Sequence, residues 1–175
     1  MNRLLAAVIL LVTFAACFDQ VQADEEEKQG AETPGIEPGP RHRAGQNCTA
    51  CHGPLGGEGP EISVGGTVYK RKDSDEPAVN AKVFITDYAE DVRELRTNDV
   101  GNFYEEKEKW DPVFPLKIVV EYSEEGVACR EEMFSVIRRD GGCGKCHLKD
   151  GKGDRGHMPR IYAIKEGCEA PTGKP

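Results

Sequence analysis

Two stretches of the chain carry one pattern, Cys48-Thr-Ala-Cys51-His52 and Cys143-Gly-Lys-Cys146-His147. Two thiols separated by two residues, with an imidazole directly after the second, form the attachment pattern of haem c. Each thiol adds across one vinyl group of the porphyrin, and the two-residue gap matches the separation of those vinyls. The His that follows lies under the ring, where one nitrogen reaches the iron as proximal ligand. The cofactor-binding candidates are therefore Cys48, Cys51, Cys143 and Cys146, with His52 and His147 as metal ligands. A zinc site made of the four thiols or a thiol redox pair are the competing readings. Neither needs a His after the second Cys, yet two of the chain's 4 His stand there.

On these motifs the chain resembles a dihaem c-type cytochrome, which implies two covalently attached haem c groups and electron transfer. The two remaining His, His42 and His157, match two irons in number and are the candidate distal ligands. Met158, beside His157, is the rival there, and Met133 a weaker one. A Met ligand raises the reduction potential relative to a second His. No catalytic residue is assigned. All four His are committed to iron, and the acidic residues come in solvated runs such as Glu124-Glu125.

The N-terminus is expected to be an export signal over residues 1–23. A basic start at Arg3 precedes 13 apolar residues, Leu4 to Ala16, too few to span a bilayer. Val21-Gln-Ala23 fits the small-residue cleavage rule. The alternative is a lipoprotein anchored at Cys17, with Phe14 where Leu is usual, and only then is a membrane a partner. Haem c attachment implies the same compartment, periplasmic, cell-surface or extracellular. Of 7 Cys, four belong to the motifs and Cys17 to the signal, leaving Cys129 and Cys168. In an exported protein such a pair is expected to join, the alternative being bonds between chains.

Residues 24–40 are acidic, rich in Gly and Pro and poor in apolar residues, and read as a disordered tether. The first haem segment is expected over 41–60 and the second over 138–175. Between them the texture changes. Ile62–Lys70, Ala81–Asp87, Val92–Thr97, Asn102–Tyr104, Phe114–Tyr122 and Val127–Ile137 read as strands separated by turn signals. Short strands at this spacing predict an antiparallel β-sandwich over 61–137.

Gly66-Thr-Val-Tyr69, Pro77-Ala-Val-Asn-Ala81-Lys-Val83, Thr97-Asn-Asp-Val-Gly101-Asn-Phe103-Tyr104 and Pro115-Leu-Lys-Ile-Val-Val120 carry a second likeness. They resemble the carboxypeptidase regulatory-like, transthyretin-like β-sandwich, which implies a seven-strand, prealbumin-like module without chemistry of its own. The charged run Glu105–Lys109 ahead of Trp110 departs from that pattern, and Trp110 is expected in the core or against a haem.

The expected molecule is thus mainly β, a prealbumin-like sandwich flanked by two loop-rich haem segments. A net charge of −8 argues against a nucleic-acid partner. The expected partners are redox proteins, with a homopolymer through haem stacking or distal-His exchange as a further option. Two other classes stay open: a haem enzyme or gas or peroxide sensor with one open iron site, and a surface-binding sandwich with a haem tail.

Overall fold

The structure is a computed structural model that describes residues 23–54, 56, 59–124, 126–148, 158–165 and 167–168. The export segment up to residue 22, with Cys17, and the candidate ligand His157 lie outside these residues.

The chain is mainly β. A helix of five residues, α1 (Cys48–His52), precedes eight strands among the described residues. These are β1 (Ile62–Tyr69), β2 (Lys82–Thr86), β3 (Val92–Arg96), β4 (Asn102–Glu106), β5 (Lys117–Glu124), β6 (Val127–Glu132), β7 (Gly141–Gly142) and β8 (Ile161–Tyr162). One sheet has the order β3-β2-β5-β6 and is antiparallel throughout. In the other, β1 pairs antiparallel with β4 and parallel with the short β7 and β8. The C-terminal segment therefore closes the edge of this β1 sheet.

Alternation along the strands explains the core. Val83 and Ile85 of β2 point inward, as do Ile118, Val120 and Tyr122 of β5, with less buried neighbours between them. They meet Val64 and Val68 of β1 and Phe103 of β4. Trp110 is buried in the same cluster, as one of its two expected placements required, and the Arg93 guanidinium stacks over its ring at 5.6 Å. Cys143 and Ala163 also belong to this core, so the second motif and the chain after it pack with the sandwich.

Some boundaries differ from the sequence reading. The last long strand ends at Glu132, and beyond it Ile137 makes only a bridge to Leu116. The strand expected from Phe114 starts at Lys117, because Pro115 offers no N–H to a ladder. Six strands of five or more residues lie between 62 and 132 among the described residues, where the transthyretin likeness implied seven. In the stretch read as a disordered tether, residues 23–28 are helical. Gln29 and Glu32 of this stretch bond the approach to the first motif: Gln29 Oε1 accepts from Asn47 N at 2.8 Å, and Arg43 Nε donates to Glu32 at 3.0 Å.

Cys129 and Cys168 are joined within the chain, their Cα atoms 5.2 Å apart. The bond ties the C-terminal segment to β6. Among the described residues no helix is long and apolar enough to cross a membrane.

Candidate haem-attachment site

Strand β1 organises the site. It contains Gly65 and Gly66, and consecutive strand residues face opposite sides of a sheet. Gly66 pairs with Phe103 and faces the core; Gly65 pairs with Tyr104 and faces outward. Each glycine leaves room for the first cysteine of one motif. A Cβ on Gly65 would stand 3.2 Å from Cys48 Sγ, and one on Gly66 would stand 2.7 Å from Cys143 Cβ. The two motifs, far apart in sequence, are thus seated back to back at neighbouring residues of one strand.

The two glycines are unequal in what they tolerate. Gly66→Ala forces its new methyl into Cys143 Cβ and, at 3.2 Å, into the Phe103 ring, all on the packed side of the sheet. Overpacking of this kind costs about 1–3 kcal/mol. Gly65→Ala meets the Cys48 sulfur at 3.2 Å and an Ile62 methyl and the Tyr104 Cβ at 3.3 Å, each a few tenths of an ångström too close where Gly66→Ala drives into Cys143 Cβ. Denaturant unfolding is expected to show the larger loss for Gly66→Ala. Equal losses, or the reverse order, contradict the opposed seating.

On the outer face, a buried polar pair pins the chain ahead of the first motif. Thr67 Oγ1 donates to Asn102 Oδ1 at 2.7 Å and accepts from Gly45 N at 2.8 Å. Asn102 Nδ2 donates to the carbonyl oxygens of Pro40 and His42, at 3.2 and 3.0 Å. These bonds fix the loop that carries His42. Its ring lies beside that of His52, with centroids 5.7 Å apart and planes within 12° of parallel. Two imidazoles sharing one metal ion, with metal–nitrogen bonds of about 2 Å, have centres roughly 6 Å apart. The His42–His52 spacing is close to that value, with the two rings stacked. His42 Nδ1 accepts from Gly39 N at 3.0 Å, which leaves the ring proton on Nε2. Ligation through Nε2 therefore moves that proton to Nδ1 and breaks the Gly39 contact. Among the described residues, His52 Nδ1 is buried with no hydrogen-bond partner.

In the second motif, β7 leads into a 3-10 turn, Cys143–Lys145. The backbone N–H groups of Cys146 and His147 both donate to Cys143 O, at 3.2 and 2.9 Å. His147 Nδ1 lies 2.7 Å from Pro159 O, so Nδ1 carries the proton and donates it. That bond selects the tautomer whose Nε2 lone pair is available to a metal, and it fixes the ring as ligating imidazoles are fixed. Met158, half-buried, directly precedes the proline whose carbonyl backs the imidazole. Met133 packs against the sandwich core.

The four motif thiols divide into two classes. Cys143 is buried, and burial pushes its thiol up to about 12, with the Cys48 thiol and Asp140 adding repulsion. Cys48 is half-buried as a residue, but its sulfur sits against Gly65, and the same desolvation pushes it up to about 11. Cys51 and Cys146 are half-buried. Among the described residues no three His, Cys, Asp or Glu side chains gather as a metal-ion cluster. Each motif presents a thiol pair followed by one imidazole. Both motifs keep that donor set. At the second it comes with the ligand tautomer in place, and at the first with a second imidazole alongside. The residues present fit haem c.

The signals that reach this far in the sequence are the motifs themselves and the spare-His count. The part played by Gly65, Gly66 and Pro159 has no local signature. No family model matches the chain, and no curated protein or solved structure matches it either.

Proposed function

We propose that the chain is an exported dihaem c-type cytochrome that carries single electrons. Cys48 and Cys51 hold one haem and Cys143 and Cys146 the other, with His52 and His147 as proximal ligands. The observation that carries this reading is the convergence of both motifs on β1, with the His147 ring held in the ligating tautomer by Pro159 O. When bound, the two haems supply the redox chemistry. The polypeptide seats the thiols, orients the imidazoles and screens one side of the site with the sandwich.

His42 is the sixth ligand proposed for the haem of the first motif, within the same chain. Its loop is tied to Asn102 and, through Arg41, to Asp99 at 2.8 Å, which favours ligation inside one molecule over exchange between molecules. Irons with both axial positions filled exchange electrons rather than bind substrate.

The test is a pyridine haemochrome assay of the exported protein, read with its intact mass. Two haems per chain are expected, with His42 and His52 giving a low-spin ferric spectrum for the first. That haem is expected to ignore carbon monoxide after reduction. A haem-free protein containing zinc overturns the reading. A carbon monoxide-sensitive haem at the first motif removes His42 from the ligand set.

A further inference from the structure

Asp140 stands between the two motifs and bonds to both. Its Oδ1 lies 3.1 Å from the hydroxyl of Thr49, the first intervening residue of motif one. The same oxygen accepts from Gly142 N at 2.9 Å, at the entry to motif two. Its Oδ2 pairs with Lys145 Nζ at 3.1 Å, the second intervening residue of motif two. The Thr49 hydroxyl is also 3.1 Å from Asn47 Oδ1, and with one proton it serves one of the two acceptors at a time. A carboxylate takes that proton more strongly than an amide oxygen does.

The packing under this carboxylate is tight. A Cβ on Gly144 would stand 2.5 Å from Gln46 O and 2.6 Å from Asn47 Cα. Those are backbone atoms, so the turn of motif two lies directly on the chain that enters motif one. The motifs therefore share a backbone contact, and one negative charge bridges their intervening residues.

We propose that Asp140 is a positioning residue common to both haem sites: it holds the two motifs in register, and its charge sets the reduction potential of both haems. This rests on the dihaem reading above. Reduction adds an electron to each iron centre, so a nearby carboxylate disfavours it. Asp140→Asn keeps the shape and removes the charge. Both midpoint potentials are then expected to rise. Thr49→Val keeps the charge and removes the hydroxyl that links Asp140 to motif one, together with its contact to Asn47. It is expected to change the potential of the motif-two haem by way of Asp140, and to change it less in the Asp140→Asn background, where the acceptor carries no charge.

The experiment is a redox titration of the full-length holoprotein, with haem count measured on every variant. The two haems are assigned with single-haem proteins, Cys48→Ala/Cys51→Ala and Cys143→Ala/Cys146→Ala. A residue with a merely structural role in motif two would move one potential at most. A rise at only one haem, or effects of Thr49→Val and Asp140→Asn that simply add, overturns the proposal while leaving two haems per chain. A wild-type count below two overturns the dihaem reading and this proposal with it. If Asp140→Asn yields no folded protein, Thr49→Val decides alone: an unchanged motif-two potential is then the overturning result.

Discussion

Replacing Cys129 and Cys168 together by serine is expected to lower the unfolding free energy by about 4 kcal/mol. The bond closes a loop with a sequence separation of 39, and closing a loop of that length in the unfolded chain has roughly this entropic weight. The consequence for the site is local as well as global. The bond anchors the segment that carries β8 and Pro159, and Pro159 O is the acceptor that holds His147. The double variant should therefore unfold at lower denaturant. On the dihaem reading proposed above, the motif-two haem should also show a broadened or altered ferric spectrum, while the motif-one haem stays as it was. Treatment with reductant should reproduce both effects in the wild-type protein. An unchanged unfolding midpoint in the variant contradicts the disulfide's role.

The second large effect is an alkaline instability that is greater in the haem-free chain. In the unfolded state both Cys48 and Cys143 titrate near the ordinary 9.0, whereas in the fold they do so near about 11 and about 12, because burial disfavours the thiolate. Below pH 9 both states hold these protons, and burial of the neutral thiols contributes fully. Above pH 9 the unfolded chain loses protons that the folded chain keeps, so stability falls as pH rises toward the folded values. Cys143 alone accounts for a loss on the order of 4 kcal/mol over that window, and half-buried Cys48 adds a smaller part. On the proposed reading, haem attachment converts the sulfurs to thioethers, which do not titrate. Unfolding curves at pH 8 and pH 10.5 should therefore diverge for protein made without haem and stay closer together for the loaded form. Alkylation of the haem-free fold at pH 8 should label Cys51 and Cys146 ahead of Cys143. Uniform labelling of all four sulfurs contradicts the arrangement on β1.

Several features of this molecule are legible in the residues alone. The two thiol–imidazole motifs are visible as local spacing, which needs no tertiary information, and the haem chemistry proposed for them rests on that spacing. The long strands of the β3-β2-β5-β6 sheet follow from alternation, as at Val83 and Ile85 or Ile118 and Val120, because a half-buried strand must alternate. The Cys129–Cys168 bond follows from counting. Other features depend on contacts that leave no periodic trace. β7 and β8 are two residues each, too short to show any pattern, yet they bring motif two alongside β1. The seating at Gly65 and Gly66 is a steric match between side chains far apart in the chain, and a glycine pair in a strand reads equally well as a weak point. The helical 23–28 stretch escaped because its acidic composition is that of a solvated segment, and its tie to Asn47 runs through Gln29. The His42–His52 pairing required the Thr67–Asn102 anchor, a buried polar contact between two strands that a one-dimensional reading does not bring together.

The parallel pairing of β7 and β8 with β1 has a consequence for solubility. Pairing with β4 occupies one side of β1, and the C-terminal segment occupies the other. A chain shortened before Gly141 leaves Ile-Ser-Val-Gly-Gly-Thr-Val-Tyr as an open edge, with no charge along its eight residues. Open, uncharged edges of this kind recruit strands from other molecules. The C-terminal segment thus acts as a guard against self-association, and a proteolytic fragment lacking it should precipitate under conditions where the intact protein stays in solution.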